Sequence, residues 1–340
     1  MRASNAGKPV WTNISHMLFF ALNASADLGR AVTEAGGFPV ASHEEREFAG
    51  GEHKARPLQS VRGKDVYVLH SLHGETGHSA NDKLCRLLFF LAVCREHGAA
   101  RVTAIVPYLA YSRKDRQTKP RDPVTTRYVA MLFEAMGIDC VVTLEVHNIQ
   151  AFQNAFRCRT LHVETAPLFT AEILARAGSR PLTVFSPDGG GVKRAQLLRE
   201  DVDQATEAEV TFGFMEKRRS AGIVSGDLFA GDVAGRAVWI VDDMIVGGGT
   251  MLRAAQACRA HGAVEVHLAA THALLTEDAI QSLADPAITS VTLTDSAADT
   301  APAKTALGDR LHILSVGPII AETINRLHNG QRTMPTDGFT

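Results

Sequence analysis

Short apolar runs alternate along this chain with longer stretches in which apolar positions recur every three or four residues. The short runs are typical of buried strands, and the longer stretches are typical of helices that cover a sheet. Strands are predicted at 66–69, 102–106, 141–144, 182–185, 210–214, 238–241 and 266–270, and helices at 82–97, 124–136, 167–177, 192–200 and 250–261. The alternation predicts an α/β fold with mainly parallel sheets flanked by helices.

The chain also repeats part of its own pattern. The segment CREHGA at 94–99 matches CRAHGA at 258–263, and GKDVYVL at 63–69 matches GRAVWIV at 235–241. Because the two matches occur in the same order, they favour a duplicated α/β domain over coincidence.

Length and composition fit two domains. A chain of 340 residues is too long for one ordinary core. We predict an N-terminal domain at 1–164, a C-terminal domain at 165–314, and a last helix at 315–330 that joins the first domain. The net charge of −2 predicts a protein without general affinity for nucleic acid or for membranes. Cysteines without CxxC spacing, and apolar runs too short to cross a bilayer, predict a cytoplasmic location.

The second copy carries the strongest candidate for a binding site. Its strand at 238–241 is followed by Asp242 and Asp243, then by the glycines at 247–249 and by Thr250, where a helix begins. Backbone N–H groups of a glycine turn and a helix start converge on an anion such as phosphate. The acids beside it can accept hydrogen bonds from sugar hydroxyls or help to hold a hydrated metal. We therefore predict a site for a phosphorylated sugar; an ordinary glycine-rich turn is the alternative.

The first copy lacks this acid pair. His70 and Ser71 occupy the positions of the two acids in the alignment, so only the second copy is expected to bind the sugar phosphate. The first copy is also longer, and its extra residues are expected at 72–80. That loop holds His73 and His78, which could bind a metal, although a solvated loop is favoured.

Other predicted strand ends carry charged residues. A basic loop with Arg113 and Lys114 follows one strand, at the edge where α/β sheets place ligands. A solvated loop is the alternative for this segment. His147 and Asp188 follow two further strands and could share one divalent metal, directly or through water.

A cationic run with Lys217 and Arg219 precedes the small residues at 220–222, which would allow a loop to move. Cations on a closing loop suit the transfer of a phosphate-type group, because negative charge spreads over the oxygens in the transition state. Taken alone, the run is better explained as charged surface.

Together these segments resemble the ribose-phosphate diphosphokinases, also called PRPP synthetases. The resemblance runs from about residue 17 to residue 330, and its most specific pieces are PYLAYSRKDR, TLEVHN, SPDGGGVKRA, EKRR, GDVAGRAVWIVDDMI and GGGT. It implies two tandem type I phosphoribosyltransferase-like domains. It also implies transfer of the β,γ-diphosphoryl group of ATP to C1 of ribose 5-phosphate, giving PRPP and AMP, with Mg²⁺ as cofactor. The resemblance further implies a homo-oligomer, either a hexamer or a dimer.

The resemblance assigns roles to the matching positions. Lys217 and Arg219 would be catalytic cations on a flexible loop, and His147 and Asp188 would hold Mg²⁺. ATP would bind at a junction with a neighbouring subunit. The residues implied for ribose 5-phosphate are Asp242, Asp243, Val246, Gly247, Gly248, Gly249 and Thr250, and those implied for ATP are Phe48, Gly50, Glu52, Arg113 and Lys114.

Several positions depart from the family pattern. The family's phosphate loop reads D-T-G-G-T, whereas this chain begins the loop with Val246 and Gly247. The family's F-S-D-G-E is F-A-G-G-E at 48–52, and its Arg-Gln pair is Arg113-Lys114. Two other interpretations therefore stay open: a catalytically weak or silent regulatory paralogue that associates with an active synthetase, and a phosphoribosyltransferase that consumes PRPP. The retained catalytic and metal-binding positions argue against the first, and the doubled domain argues against the second.

Overall fold

A computed structural model describes residues 16–178, 180–220, 223–297 and 300–331, without the side chains of 217–220 and 223–227. The strands are β1 Met17–Ala21, β2 His43–Glu47, β3 His53–Pro57, β4 Asp65–Leu69, β5 Arg101–Val106, β6 Cys140–Leu144, β7 Arg159–Val163, β8 Leu182–Ser186, β9 Val210–Ser220, β10 Ile223–Ala230, β11 Ala237–Ile245, β12 Glu265–Ala273, β13 Ser290–Thr294 and β14 Leu311–Leu314. The helices are α1 Ala26–Gly36, α2 Ala80–Glu96, α3 Thr125–Ala135, α4 Ile149–Ala155, α5 Ala166–Ala177, α6 Val192–Gln204, α7 Gly249–Ala260, α8 Glu277–Leu283, α9 Ala301–Leu307 and α10 Gly317–His328.

The first large sheet has the strand order β1-β4-β5-β6-β7, and all of its neighbouring strands are parallel. Its strands alternate buried side chains between two cores, because successive residues of a strand point to opposite faces. Helices α2, α3 and α4 cover one face. Helix α1 covers the other face together with α10, the last helix of the chain.

Helix α10 is fixed to the first sheet by apolar packing and by polar contacts at its end. Ile320 and Ile324 are buried in the same core as Val32 of α1. The ring of His328 contacts Asp65 with an Nδ1–Oδ2 distance of 2.7 Å, and Arg101 donates to the Leu327 carbonyl at 3.0 Å. These contacts support the domain division at 1–164, 165–314 and 315–330, which stays a prediction.

The second large sheet has the strand order β10-β9-β8-β11-β12-β13-β14, in which only the β9–β10 pair is antiparallel among the residues described. From β8 the chain proceeds to β9 on one side, and from β11 it proceeds to β12 on the other side. The sheet therefore has a topological switch point between β8 and β11. In open α/β sheets ligands bind at the carboxyl ends of the strands beside such a point.

The internal repeat is confirmed by matching contacts in the two halves. The N–H of Gly63 donates to Gly98 O at 2.8 Å, and the N–H of Gly235 donates to Gly262 O at 2.9 Å. All four glycines have φ between 69° and 93°, a region that side chains disfavour. The repeated glycines are therefore required by the same turns in both copies.

Each strand and helix predicted from the apolar pattern is present, most with ends shifted by a few residues, and the predicted α/β fold is confirmed. Strands β1, β7, β10, β13 and β14 were not among the predicted strands. Nor was the β2–β3 hairpin, whose sequences HEERE and HKARP are mostly polar. In the described parts of the chain, no helix combines the length and apolar character that crossing a membrane requires.

The expectation of a solvated loop at 72–80 is wrong at His73, which is buried. Its Nε2 lies 3.1 Å from the carboxylate of Glu75, and the same carboxylate lies 2.8 Å from Nζ of the fully buried Lys83. The Glu75 contacts hold the loop in place, because a buried lysine requires a nearby counter-charge and hydrogen-bond acceptor. Just beyond, Ser79 and Asp82 form a capping box that begins α2.

Candidate functional site

A cleft of about 1380 Å³ opens where the carboxyl ends of β6 from the first half and β8 and β11 from the second half meet. This is the switch point of the second sheet. Of the residues predicted to form a site, the cleft brings together Arg113, His147, Asp188, Asp242, Asp243, Val246, Gly247, Gly248, Gly249 and Thr250. The two halves of the chain therefore contribute to one cleft.

The acid pair lies within β11, whereas the sequence pattern predicted that the strand ends before it. Strand β8 pairs with β11 only as far as Ile240, but β12 continues to pair with β11 up to Ile245. Asp242 and Asp243 are thus held in extended backbone by β12 on one side and lie beyond the end of β8 on the other. This arrangement fixes the acids and leaves them at the cleft.

Charged partners surround the acids. His147 Nδ1 lies 2.9 Å from Asp243 Oδ2. Arg194, near the start of α6, has its Nη1 3.4 Å from Asp242 Oδ1 and 3.8 Å from Asp243 Oδ1. Its Nε lies 3.2 Å from Glu145 Oε1, so one guanidinium joins carboxylates of both halves. The sequence analysis did not single out Arg194, although it lies in the SPDGGGVKRA segment.

The two acids ionise differently. Burial raises the pKa of Asp242 to about 8, and the neighbouring Asp243 charge adds to this effect. Burial also opposes ionisation of Asp243, but the His147 hydrogen bond and the Arg194 charge outweigh it and hold the pKa of Asp243 well below its usual range. The hydrogen bond to Asp243 raises the pKa of His147. Asp242 can therefore keep a proton at neutral pH while Asp243 is anionic.

The glycine loop after β11 is shaped by the packing of α8. Gly248 has φ 71°, and a Cβ added there would lie 2.9 Å from Ser282 Cβ. At Gly247 and Gly249, by contrast, an added Cβ would meet nothing within 4 Å. The carbonyl of Val246 accepts the Thr276 N–H at 3.2 Å, which ties the loop to the start of α8. Helix α7 begins at Gly249, so its free N–H groups lie at the cleft.

The loop after β8 holds Asp188 in a defined orientation. Its Oδ1 accepts the N–H groups of Gly190 at 2.8 Å and Gly191 at 3.1 Å, which leaves Oδ2 for a ligand. Among the described residues, no group of three or more His, Cys, Asp or Glu side chains is placed to hold a metal ion. His147 and Asp188 line the same cleft, and Oδ2 of Asp188 is an oxygen ligand of the kind that Mg²⁺ takes; a magnesium site at these two residues stays a prediction.

Other predicted site residues are not brought into the cleft. Lys114 does not line it. Phe48, Gly50 and Glu52 lie in the turn between β2 and β3, and none of them lines the cleft. Phe48 is 44% exposed, and the guanidinium of Arg46 lies 5.4 Å from its ring centroid.

The predicted catalytic cations lie on the β9–β10 hairpin. The backbone of Lys217 pairs with Asp227, and that of Arg219 pairs with Val224. The side chains of both cations lie outside the described part of the structure, so their roles stay predictions.

Glu145 is a site residue that the sequence analysis did not single out. Its φ of 37° is unusual for a residue with a side chain and occurs where surrounding contacts enforce it. Its Oε2 accepts from the N–H of Thr165 at 3.1 Å, and Thr165 Oγ1 lies 2.6 Å from Thr271 Oγ1. Glu145 follows the predicted strand 141–144 and precedes His147 by two positions, and this placement at a strand end could have marked it as a site residue.

The fold and the cleft define a class: a tandem phosphoribosyltransferase-like α/β protein with acids and a glycine loop at a shared cleft. Residues 17–137 match the model of the N-terminal domain of ribose phosphate pyrophosphokinase, and residues 214–335 match that of the phosphoribosyl synthetase-associated domain. A ribose-phosphate pyrophosphokinase of Granulibacter bethesdensis is 34% identical over 92% of this chain and 96% of its own length. One of Maricaulis maris is 35% identical over 91% of this chain and 96% of its own.

A solved structure is similar over the same extent. The crystal structure of phosphoribosylpyrophosphate synthetase from Mycobacterium smegmatis superposes with a TM-score of 0.84 at 31% identity, covering 93% of this chain and 99% of that one. The chain belongs to the ribose-phosphate pyrophosphokinase family.

Proposed function

We propose that this chain transfers the β,γ-diphosphoryl group of ATP to C1 of ribose 5-phosphate, forming PRPP and AMP. The observation that carries the proposal is one cleft that holds the acid pair of β11, the glycine loop after it, His147 and Asp188, with His147 Nδ1 only 2.9 Å from Asp243 Oδ2. Its membership of a family with this activity supports the same conclusion. A silent regulatory paralogue is not favoured, because the acids and the metal-binding residues are retained.

Ribose 5-phosphate would bind along β11. The backbone N–H groups of Gly247, Gly248 and Gly249 and the hydroxyl of Thr250 would hold its phosphate, with Val246 at the start of the loop. Asp243 accepts hydrogen bonds from ribose hydroxyls, and a protonated Asp242 can both donate and accept. The separate ionisation of the two acids therefore suits a diol better than two repelling carboxylates would.

ATP and Mg²⁺ would occupy the part of the cleft beside His147 and Asp188. His147 and Asp188 would hold the ion, whose positive charge offsets the charge of the ATP phosphates when it is bound. Arg113 lines the cleft, whereas Lys114, Phe48, Gly50 and Glu52 would reach ATP in an assembly with a second subunit. A homo-oligomer, dimer or hexamer, and a cytoplasmic location belong to the same proposal.

Lys217 and Arg219 would neutralise the charge that spreads over the phosphoryl oxygens in the transition state. Such contacts act mainly on the chemical step, so their loss lowers kcat more than it raises KM. The strands β9 and β10 would bring both cations to the cleft when substrates are bound.

Formation of AMP from Mg-ATP and ribose 5-phosphate tests the proposal. Purified protein is expected to form AMP, and Lys217→Ala should lower kcat by about a hundredfold or more. Arg218→Ala, which removes one positive charge from the same strand, is the matched control and should keep most of the activity. Absence of AMP with any pentose phosphate, together with tight binding to an active synthetase, would instead indicate a regulatory subunit. PRPP consumption that requires a nitrogenous base would indicate a transferase.

A further inference from the structure

Beside the glycine loop lies a guanidinium that has no carboxylate partner among the residues that the structure describes. Arg253 of α7 lines the cleft, and its Nε lies 3.4 Å from the carbonyl oxygen of Gly249. Arg194, another arginine of the cleft, is paired with three carboxylates. In the described part of the chain, Arg253 has no such ion pair. Its charge is therefore available to a ligand.

The position of Arg253 along α7 directs it toward the loop. Side chains of a helix lean toward its N-terminus and cover the preceding turn, and here that turn begins at Gly249. A cation beside a helix N-terminus is unfavourable, because the helix dipole places positive charge there. An anion bound at the loop would remove this conflict and would receive both the backbone N–H groups and the guanidinium.

The loop itself lacks charged side chains. Val246 and the three glycines offer only backbone groups, and Thr250 supplies its only hydroxyl. We propose that Arg253 binds the phosphate ester of the sugar substrate and offsets the missing side-chain contacts of the loop. The inference rests on the proposed function, because it adds a binding residue to the same site.

Arg253→Gln tests this role, because it removes the charge and the terminal guanidinium nitrogens and leaves a shorter polar side chain. The KM for ribose 5-phosphate should rise about tenfold or more, as the loss of one charged hydrogen bond predicts. The kcat and the KM for ATP should change less than about twofold, because the guanidinium contacts neither the reacting atoms nor ATP. The KM of Arg253→Lys for ribose 5-phosphate should lie between those of Arg253→Gln and wild type, because lysine keeps the charge but lacks the planar guanidinium.

Calorimetric binding of ribose 5-phosphate and of unphosphorylated ribose gives a readout that a merely structural role would not change. Arg253→Gln should weaken the binding of ribose 5-phosphate and leave that of ribose unchanged. Arg199→Gln is the matched control, because it removes a cation from α6 that pairs with Asp203 and does not line the cleft. A melting temperature equal to that of wild type shows that the fold is intact.

A second background tests whether Arg253 offsets the altered loop. In Val246→Asp/Gly247→Thr, where the loop regains a carboxylate and a hydroxyl, Arg253→Gln should raise the KM for ribose 5-phosphate by a smaller factor. An unchanged KM in Arg253→Gln, in a chain that forms AMP, would overturn this inference and leave the proposed function standing. A wild-type chain that neither binds ribose 5-phosphate nor forms AMP would overturn both.

Discussion

Asp242 and Asp243 are adjacent on one strand, yet their surroundings give them opposite ionisation. Asp243 is 3% exposed but has both His147 and Arg194 within ion-pair distance. Asp242 has one long contact to Arg194 and lies next to a negative charge. Environments that separate the pKa values of neighbouring carboxyl groups are a common property of sites that bind or transfer protons and sugars.

Asp243→Asn should lower the pKa of His147 in protein free of Mg²⁺, because the hydrogen bond that raises it loses its charge. A histidine whose pKa is raised by folding stabilises the protein below its unfolded pKa of about 6.5, and this stability is lost as pH rises through the folded pKa. The variant should lack that contribution. NMR titration of the His147 ring measures the shift, with Asp203→Asn as control. An unchanged His147 pKa would contradict the assigned contact.

Gly248→Ala should raise the KM for ribose 5-phosphate and lower the free energy of unfolding by about 1–3 kcal/mol, because it forces a side chain into a left-handed backbone. The new Cβ would also press on Ser282 of α8. Gly247→Ala is the matched control, since its Cβ meets open space, and should change stability by less than about 0.5 kcal/mol. Urea unfolding and steady-state kinetics measure both effects. Equal free energies of unfolding and equal KM values of the two variants would show that the packing of α8 does not shape the loop.

At the scale of the elements, the N-terminal part of α2 carries a buried lysine. Lys83 is completely buried, and Glu75 is its charged partner, with His73 also 3.5 Å from its Nζ. Burial lowers the pKa of Lys83, and the hydrogen bond and charge of Glu75 raise it but do not outweigh the burial. The carboxylate therefore allows α2 to pack its first turns against the sheet with a cation inside.

Glu75→Gln should destabilise the protein by about 3 kcal/mol, because it leaves a buried ammonium without its counter-charge. Lys83→Met should cost less than about 1 kcal/mol, because it removes the buried charge and keeps a similar volume, while Glu75 retains partial access to water. Chemical denaturation of the two variants measures the difference. If Lys83→Met lowered the free energy of unfolding more than Glu75→Gln does, the Lys83–Glu75 pair would contribute net stability relative to an apolar side chain.

At the scale of the whole molecule, the carboxyl end of β4 serves as a docking surface for the second half. Ser71, which stands where the second copy has an acid, donates its hydroxyl to the carbonyl of Ser296. His272 bridges the halves, with Nε2 3.1 Å from Leu144 O and Nδ1 2.9 Å from Ser296 Oγ. An acid pair at these two positions would be buried, because His70 is fully buried and Ser71 is 2% exposed, and buried carboxylates are unfavourable unless they are paired.

His272→Phe should lower the free energy of unfolding by about 1–3 kcal/mol at neutral pH, because the Leu144 carbonyl and the Ser296 hydroxyl lose their contact with the His272 ring. Burial lowers the pKa of His272, so the unfolded chain binds more protons and wild type should lose stability as pH falls below about 6.5. The variant should lose less over the same interval. Urea unfolding at pH about 7.5 and about 5.5 measures both effects, with the exposed His97→Phe as control. A variant with the pH dependence of wild type would exclude His272 as a contributor.

Features that depend on residues close together in the chain could be predicted from the amino-acid sequence. Apolar runs predicted the parallel strands β4, β5, β6, β8, β9, β11 and β12, and the recurrence of CREHGA indicated the duplication. The acids and glycines of 242–250 led to the proposed sugar-phosphate site, because a strand, a glycine turn and a helix start are the local elements of a phosphate cradle. These features are encoded over a few consecutive positions, where composition and spacing constrain the backbone directly.

Contacts between residues that are distant along the chain became known only from the folded structure. Strand β11 extends to Ile245 because β12 pairs with it beyond the end of β8. Arg194 and Glu145 became site residues because the two halves meet at the cleft, and His73 became buried because Lys83 needed a partner network. No local pattern encodes such partners, since pairing free energies depend on burial and on charges that only the packed molecule brings within contact distance.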